Sequence, residues 1–278
     1  MNNKNIGSAQ AVEAKQPSFA VVAAVNDEEC LANNLAASPM IAENGVPLIV
    51  KRGYKAAALA YNDGLDCADA DIVIFAHQDV YFPRGWEKKL YTAVQTLEQR
   101  GEKWGVLGVV GTDKTGSLVG GAWSNGLQLK IESEFSSPAP SISIDEIVLI
   151  LRKDGGLRFD DDLPAFHLYG TDIALSAIKA GLGAYVFDAP VVHNSIWIGR
   201  LGPSYYAAYR YMQRKWKDEL PVYTLILPIT KFCWPLLRNW CSEKKNWVVR
   251  QFRPMPPRIR YPDPAGKAQE CGYEQTAR

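Results

Sequence analysis

The sequence predicts an α/β fold, a mostly parallel central sheet with helices on its faces. Four apolar runs point to the strands. Phe19–Val25, Pro47–Val50, Ile72–Ala76 and Val106–Val110 are of strand length and lack the polar alternation of a sheet with one wet face. Longer helical stretches separate them, the order of strand–helix–strand units in a parallel sheet. Polar residues gather where the runs stop, and in such sheets ligands bind beyond the strand C-termini.

In chain order, Phe19–Val25 is followed by Asn26-Asp27-Glu28-Glu29 and a helical stretch to about Ala37. Pro47–Val50 is the second strand, and Tyr54–Ala68, rich in Ala and Leu, the helix after it. Ile72–Ala76 breaks off at His77-Gln78-Asp79, Gly85–Arg100 reads as a further helix, and Val106–Val110 as another buried strand. Gly111–Gly126 is glycine-rich and reads as a mobile loop around Trp123. Ile142–Leu151 is a strand with a polar corner at Asp145-Glu146. Gly170–Ala180 reads as a helix ending at Gly181, a residue suited to the left-handed cap. Tyr185–Phe187 is a short strand leading to His193, and Tyr205–Trp216 is aromatic and basic at helical spacing.

The 278 residues suffice for one large domain or two small ones. Residues 1–17 are polar, lack an apolar segment and read as a flexible leader, not a secretory signal. Residues 18–219 hold the α/β domain, and 220–278 an apolar, basic, Pro-rich extension. Within it, Leu220–Trp240 carries Pro221, Pro228, Pro235, Lys231 and Arg238. A spanning helix wants ~20 mostly apolar residues, so none is expected here. Pro254, Pro256, Pro257, Pro262 and Pro264 then predict an extended tail.

At 47% hydrophobic and 22% charged residues, the composition excludes disorder, collagen and coiled coil. The formal charge of +1 conceals two opposed blocks: residues 1–199 carry 16 Lys+Arg against 24 Asp+Glu, and 200–260 carry 13 against 3. Such asymmetry points to an anionic partner. Cations beside an anionic membrane contribute ~1 kcal/mol each, and Trp216, Trp234, Trp240 and Trp247 suit the headgroup level. Residues 200–260 are therefore a candidate membrane surface; the alternative is that Leu220–Trp240 packs over the domain or forms a homo-oligomer interface. No recognised module accompanies the charge, so nucleic acid is not an expected partner. The five cysteines are scattered without CxxC spacing, which predicts no disulfide framework and a reducing, cytoplasmic setting, peripheral on the inner membrane face if a membrane is involved.

Three strand ends carry groups able to bind an ion: Asn26-Asp27, Asp79 and His193. A carboxylate with water suits Mg²⁺ or Mn²⁺, an added imidazole leans toward Mn²⁺, and a cation so held would face a diphosphate. Asp160-Asp161-Asp162 reads as a solvated turn, because consecutive side chains diverge.

The stretch Ile72-Val73-Ile74-Phe75-Ala76-His77-Gln78-Asp79-Val80-Tyr81-Phe82-Pro83, with Gly85-Trp86 after it, resembles one group of glycosyltransferases. So does Phe166-His167-Leu168-Tyr169-Gly170-Thr171-Asp172-Ile173 with Val192-His193-Asn194-Ser195 downstream. The group is the streptomycin-biosynthesis-type branch of the family-two-like enzymes with the GT-A fold, and the resemblance runs from about Phe19 to about Trp216. It implies a Rossmann-like nucleotide-binding half, an acceptor half and a divalent cation, Mn²⁺ or Mg²⁺, bridging the diphosphate of a nucleotide sugar. Asp79 matches the main metal carboxylate, His77 stands where many relatives have an Asp, and His193 matches a histidine that completes the metal sphere. Asn26 and Asp27 match the loop that receives the nucleobase, and Asn62 a helix lining the nucleotide site. Asp172 matches the general base of inverting members; His167, Tyr169 and Trp123 are candidates for the acceptor site.

The expected activity is inverting transfer of a sugar from a nucleotide-diphosphate donor to a saccharide or lipid-linked saccharide, in cell-surface polysaccharide synthesis. A non-catalytic nucleotide- or carbohydrate-binding module on the same scaffold is the competing expectation. A nucleotidyl transferase ranks low, because Val25-Asn26-Asp27-Glu28-Glu29 is acidic where that class carries a Gly-rich basic loop.

Overall fold

The computed structural model describes residues 16–196, 200–252 and 259–274. The chain begins with β1 (Phe19–Val25), α1 (Glu28–Asn33), α2 (Pro39–Ala42), β2 (Leu48–Arg52), α3 (Ala57–Cys67), β3 (Ile72–Ala76), β4 (Val80–Tyr81) and α4 (Trp86–Gln99). It continues through β5 (Trp104–Gly108), β6 (Val110–Thr112), β7 (Leu118–Ser124), β8 (Leu129–Glu132), β9 (Ala139–Pro140), β10 (Ser143–Ile144) and β11 (Val148–Arg152). After these come α5 (Tyr169–Lys179), β12 (Gly183–Val186), β13 (Val191–His193), α6 (Pro203–Lys215), α7 (Trp234–Phe252) and α8 (Pro264–Glu270).

The larger sheet has seven strands in the order β2-β1-β3-β11-β5-β12-β9. Parallel pairing holds along β2-β1-β3 and at β5-β12; β11 interrupts it, running antiparallel to both β3 and β5. The apolar runs lack polar alternation because both faces are covered. Val22, Phe75, Leu149 and Leu151 face one core with α3, α5 and α6, while Val21, Ala23, Ile74 and Ile150 face a second with α1 and α4. Helix α3 lies close on β1: a Cβ at Gly64 would stand 2.2 Å from Val22 Cγ1.

The second sheet runs β10-β6-β7-β13-β4, with β8 also on β7. It corrects the expectation of a mobile loop at Gly111–Gly126, which instead contains the end of β6, β7 and the hairpin turn between them. The glycines there serve close backbone approach. Gly120 has φ +91° and a Cβ would stand 2.1 Å from Val109 O; at Gly111 it would stand 2.3 Å from Ser143 O. Asp145-Glu146 is the corner where Ile142–Leu151 divides into β10 and β11, as its polarity predicts.

The C-terminal segment is more folded than its prolines predict. Val222 and Ile229, each 1% exposed, form an antiparallel bridge. Tyr209 OH donates to Pro228 O at 2.8 Å and Gln213 Nε2 to Thr230 O at 2.6 Å, so this stretch packs over α6. The expected extended tail contains α8, started by Pro264 and capped by Asp263, which accepts from Gly266 N at 2.8 Å. Its Ala268 is fully buried with Tyr81, Val192 and Tyr273. Asp160 is also more than a solvated turn residue: it accepts from Tyr211 OH at 2.7 Å and Lys215 Nζ at 2.6 Å. Among the described residues no helix is long and apolar enough to cross a membrane, and all five cysteines are free thiols.

Candidate metal centre and its cleft

Strand β3 is buried throughout and delivers His77-Gln78-Asp79 to the end of the sheet. His77 N donates to Ile147 O and Val80 N to His77 O, so the motif turns tightly into β4. Strand β13 runs antiparallel to β4 with His193 opposite Val80, which brings a residue far along the chain beside Asp79. His193 Nε2 lies 3.4 Å from Asp79 Oδ1, and the His77 and His193 rings are 5.6 Å apart between centroids. One ligand atom from each of the three lies within 4.8 Å of the others, and no other His, Cys, Asp or Glu group among the described residues is so arranged.

Two imidazoles and a carboxylate fit a divalent transition ion better than Mg²⁺ alone, which prefers oxygen. The 3.4 Å separation suits two ligands of one cation, whose bonds are about 2.0–2.2 Å long. Tyr169 OH meets His77 Nε2 at 2.8 Å and reaches Glu146 O at 3.3 Å, fixing the ring and leaving Nδ1 for the trio. Burial pulls His77 below its ordinary value, favouring the neutral imidazole that a cation needs. Burial alone would raise the Asp79 carboxyl, but the facing His193 and then His77 outweigh it and hold it well below the usual carboxylate range. Against the same burial, Asp79 raises His193. Asp145 also acts on both histidines, and burial with Asp145 alongside pushes the Glu146 carboxyl up to about 8.

A cleft of about 360 Å³ opens beside His77 and Asp79, within the size range of small-ligand sites. Its other walls include Asn26, Lys51, Tyr54, Tyr61, Gln78 and Phe166. Gln78 ties the first-strand loop to the His77–Asp79 turn: its Oε1 accepts from Asn26 N at 3.0 Å and Asp27 N at 3.1 Å, and its Nε2 donates to Asn26 Oδ1 at 2.6 Å.

The structure thus brings His77, Asp79, His193 and Asn26 to one place. Tyr169 touches His77 through its hydroxyl, and the remaining expected site residues take other partners. Asp27 caps α1, accepting from Cys30 N at 2.9 Å, and pairs with Arg260 at 3.1 Å. Asn62 is engaged by the Phe159 loop, donating to Phe159 O and Asp161 Oδ1 and accepting from Phe159 N; its neighbour Tyr61 lines the cleft. Asp172 is 1% exposed and bound by Lys215 Nζ at 2.8 Å and Trp216 Nε1 at 2.7 Å, away from the cleft walls. Burial raises its carboxyl despite Lys215. His167 meets Ser204 Oγ at 3.2 Å, while its neighbour Phe166 reaches the cleft. Tyr169 acts on His77 from behind. Trp123 pairs in register with Val192 and lies under Lys267 Nζ, 4.5 Å from the ring centre, so α8 covers it.

Gln78 stands inside the motif, yet nothing in its sequence setting points to a role. Asn125, Asn194 and Arg260 carry no sequence signal either, because their partners lie far along the chain.

No family model matches the chain. A curated protein described as ATP synthase subunits region ORF 6, from Fuscovulum blasticum, is 32% identical over 132 residues, 44% of this chain and 50% of that protein. The chain spans about half the length of that relative. Among solved structures, GalNAc-T7 with UDP, GalNAc and Mn²⁺ is similar at a TM-score of 0.46 and 14% identity, over 88% of this chain and 60% of that one. The mannosyltransferase PcManGT from Pyrobaculum calidifontis, with GDP-Man and Mn²⁺, gives 0.44 and 12% over 92% and 79%. TarS from S. aureus, with UDP-GlcNAc, gives 0.44 and 13% over 71% and 65%.

Proposed function

We propose that the chain is a metal-dependent glycosyltransferase of the GT-A type, moving a sugar from a nucleotide-diphosphate donor to a saccharide or lipid-linked saccharide. The observation that carries this reading is the His77–Asp79–His193 set beside the 360 Å³ cleft, formed from the two sequence blocks that resemble such enzymes. In this reading residues 18–219 are the transfer domain and 220–278 an extension serving acceptor or surface contacts. The setting is cytoplasmic polysaccharide synthesis, peripheral to a membrane, and a homo-oligomer is compatible with the exposed apolar surface.

Asp79, His193 and His77 Nδ1 would hold the cation, with Tyr169 fixing the His77 ring. A bound divalent cation supplies Lewis-acid stabilisation of the charge that develops on the departing diphosphate. The cleft, walled by Asn26, Tyr54 and Phe166, receives the nucleoside, and the rings of Tyr54 and Phe166 offer faces for a base to stack on. The acceptor hydroxyl needs a base for its proton, a contribution of ~10²–10⁴-fold. The resemblance assigns that role to Asp172. Its Lys215 pair keeps it closed off, so the assignment requires acceptor binding to open the pair. A base on one face of the sugar and the diphosphate on the other give a single displacement with inversion.

The test is a panel of nucleotide sugars incubated with Mn²⁺, scoring release of nucleoside diphosphate. Release from at least one donor, abolished by chelator, is the expected result. Tight metal-dependent nucleotide binding with no sugar release from any donor favours the non-catalytic module instead.

A further inference from the structure

We propose that Arg260 is a ligand of the donor diphosphate, held over the metal site by the C-terminal segment. This rests on the nucleotide-sugar reading above and adds a residue that lies beyond both sequence blocks.

Asn125 and Asn194 are each 1% exposed, and each grips a residue beside Arg260. Asn194 Oδ1 accepts from Tyr261 N at 2.7 Å, and its Nδ2 donates to Tyr261 O at 2.8 Å. Asn125 Nδ2 donates to Ile259 O at 2.9 Å. The same asparagines are tied through their backbones to the metal ligands: Asn194 N donates to Asp79 O at 2.8 Å, and Asn125 N to His193 O at 2.9 Å. Ile259 and Tyr261 are thereby tied to the turn that carries Asp79 and the strand that carries His193, and Arg260 lies between them in the chain.

Its side chain turns toward the first-strand loop. Arg260 Nη1 meets Asp27 Oδ2 at 3.1 Å, one residue from Asn26 in the cleft wall. Arg260 Nε is buried with no hydrogen-bond partner among the described residues. A buried guanidinium N–H without a partner is costly, and the guanidinium fork matches phosphate oxygens two at a time. The Asp27 pair does not compete strongly, because both side chains are about a third exposed, at 29% and 37%. A diphosphate, with more charge and more acceptor oxygens than one carboxylate, suits this guanidinium better than Asp27 does. With a cation held by Asp79, His193 and His77, Arg260 would supply a second positive charge to the diphosphate.

The experiment is calorimetry on the full chain, with Mn²⁺ alone, then with inorganic pyrophosphate and with the uridine, guanosine, adenosine, cytidine and thymidine diphosphates in saturating Mn²⁺. Arg260→Gln is expected to weaken pyrophosphate and the preferred nucleoside diphosphate about 10–100-fold, with Mn²⁺ affinity and thermal midpoint unchanged. Arg260→Lys is expected to recover part of the loss. Diphosphate affinity within twofold of wild type in Arg260→Gln overturns the assignment. So does a loss in which Mn²⁺ affinity and thermal midpoint fall together with diphosphate, which marks a structural role. If the wild-type chain binds none of the diphosphates, the proposed function fails, and this assignment with it.

Discussion

His193 and Asp79, 114 positions apart in the chain, stand 3.4 Å apart because β13 pairs with the two-residue strand β4 that follows Asp79. The contact joins the two sequence blocks into one site. Neither block holds the whole candidate trio, since His77 and Asp79 come from the first and His193 from the second.

Tyr169 is expected to act through His77. Tyr169→Phe removes the hydroxyl that meets Nε2 but keeps the ring packed 5.5 Å from Tyr61 and 6.1 Å from Phe159. Loss of such a supporting partner costs about 10–100-fold in metal affinity. Mn²⁺ titration of the variant checks this, with thermal unfolding close to wild type as the control.

Asp172 is tested by separating chemistry from stability. Asp172→Asn is expected to keep donor binding and lower turnover by about 10²–10⁴-fold. Lys215→Met leaves the Asp172 carboxylate buried without its cation, and breaking a buried pair in this way costs about 3 kcal/mol, readable by denaturant unfolding. An unchanged rate in Asp172→Asn removes it as base and leaves Asp145, the carboxylate acting on both metal-site histidines, as the next to substitute.

The exposed aromatic surface makes a separate prediction. Phe232 and Trp234 are each 71% exposed, and Leu237 and Trp240 each 48%. They surround a groove that also includes Arg210, with Lys244 over the Trp240 ring at 5.5 Å. Co-sedimentation with phosphatidylglycerol–phosphatidylcholine vesicles is expected, weakening with salt. Phe232→Ala with Trp234→Ala should reduce it at least tenfold, because each buried aromatic contributes about 1.5–3 kcal/mol. Absence of binding at low salt removes the membrane role and turns attention to self-association, measured by ultracentrifugation.

Much of this was legible in the sequence where the signal is local. The apolar runs at β1, β3 and β5 lack alternation because both sheet faces are covered, and the chemistry-bearing His77-Gln78-Asp79 follows directly from a strand end. The polar corner at Asp145-Glu146 likewise marks the junction of β10 and β11. Glycine misled at Gly120, where it accommodates Val109 O inside a sheet. Proline misled at Pro264, where it starts a helix behind an Asp cap. Arg260 stayed invisible for another reason: Asp27 lies 233 positions away, and no periodicity joins them. Asn62 shows the converse, since its helix is at the site while its side chain faces the Phe159 loop.

The most direct measurement of the central claim is donor turnover against Mn²⁺ concentration for the wild-type chain and Asp79→Ala. With stabilisation of several kcal/mol at stake, the expected result is saturable activation of the wild type by Mn²⁺, loss in chelator, and a turnover about a thousandfold lower in a folded Asp79→Ala. Full wild-type activity in chelator, or undiminished turnover in Asp79→Ala, would contradict it.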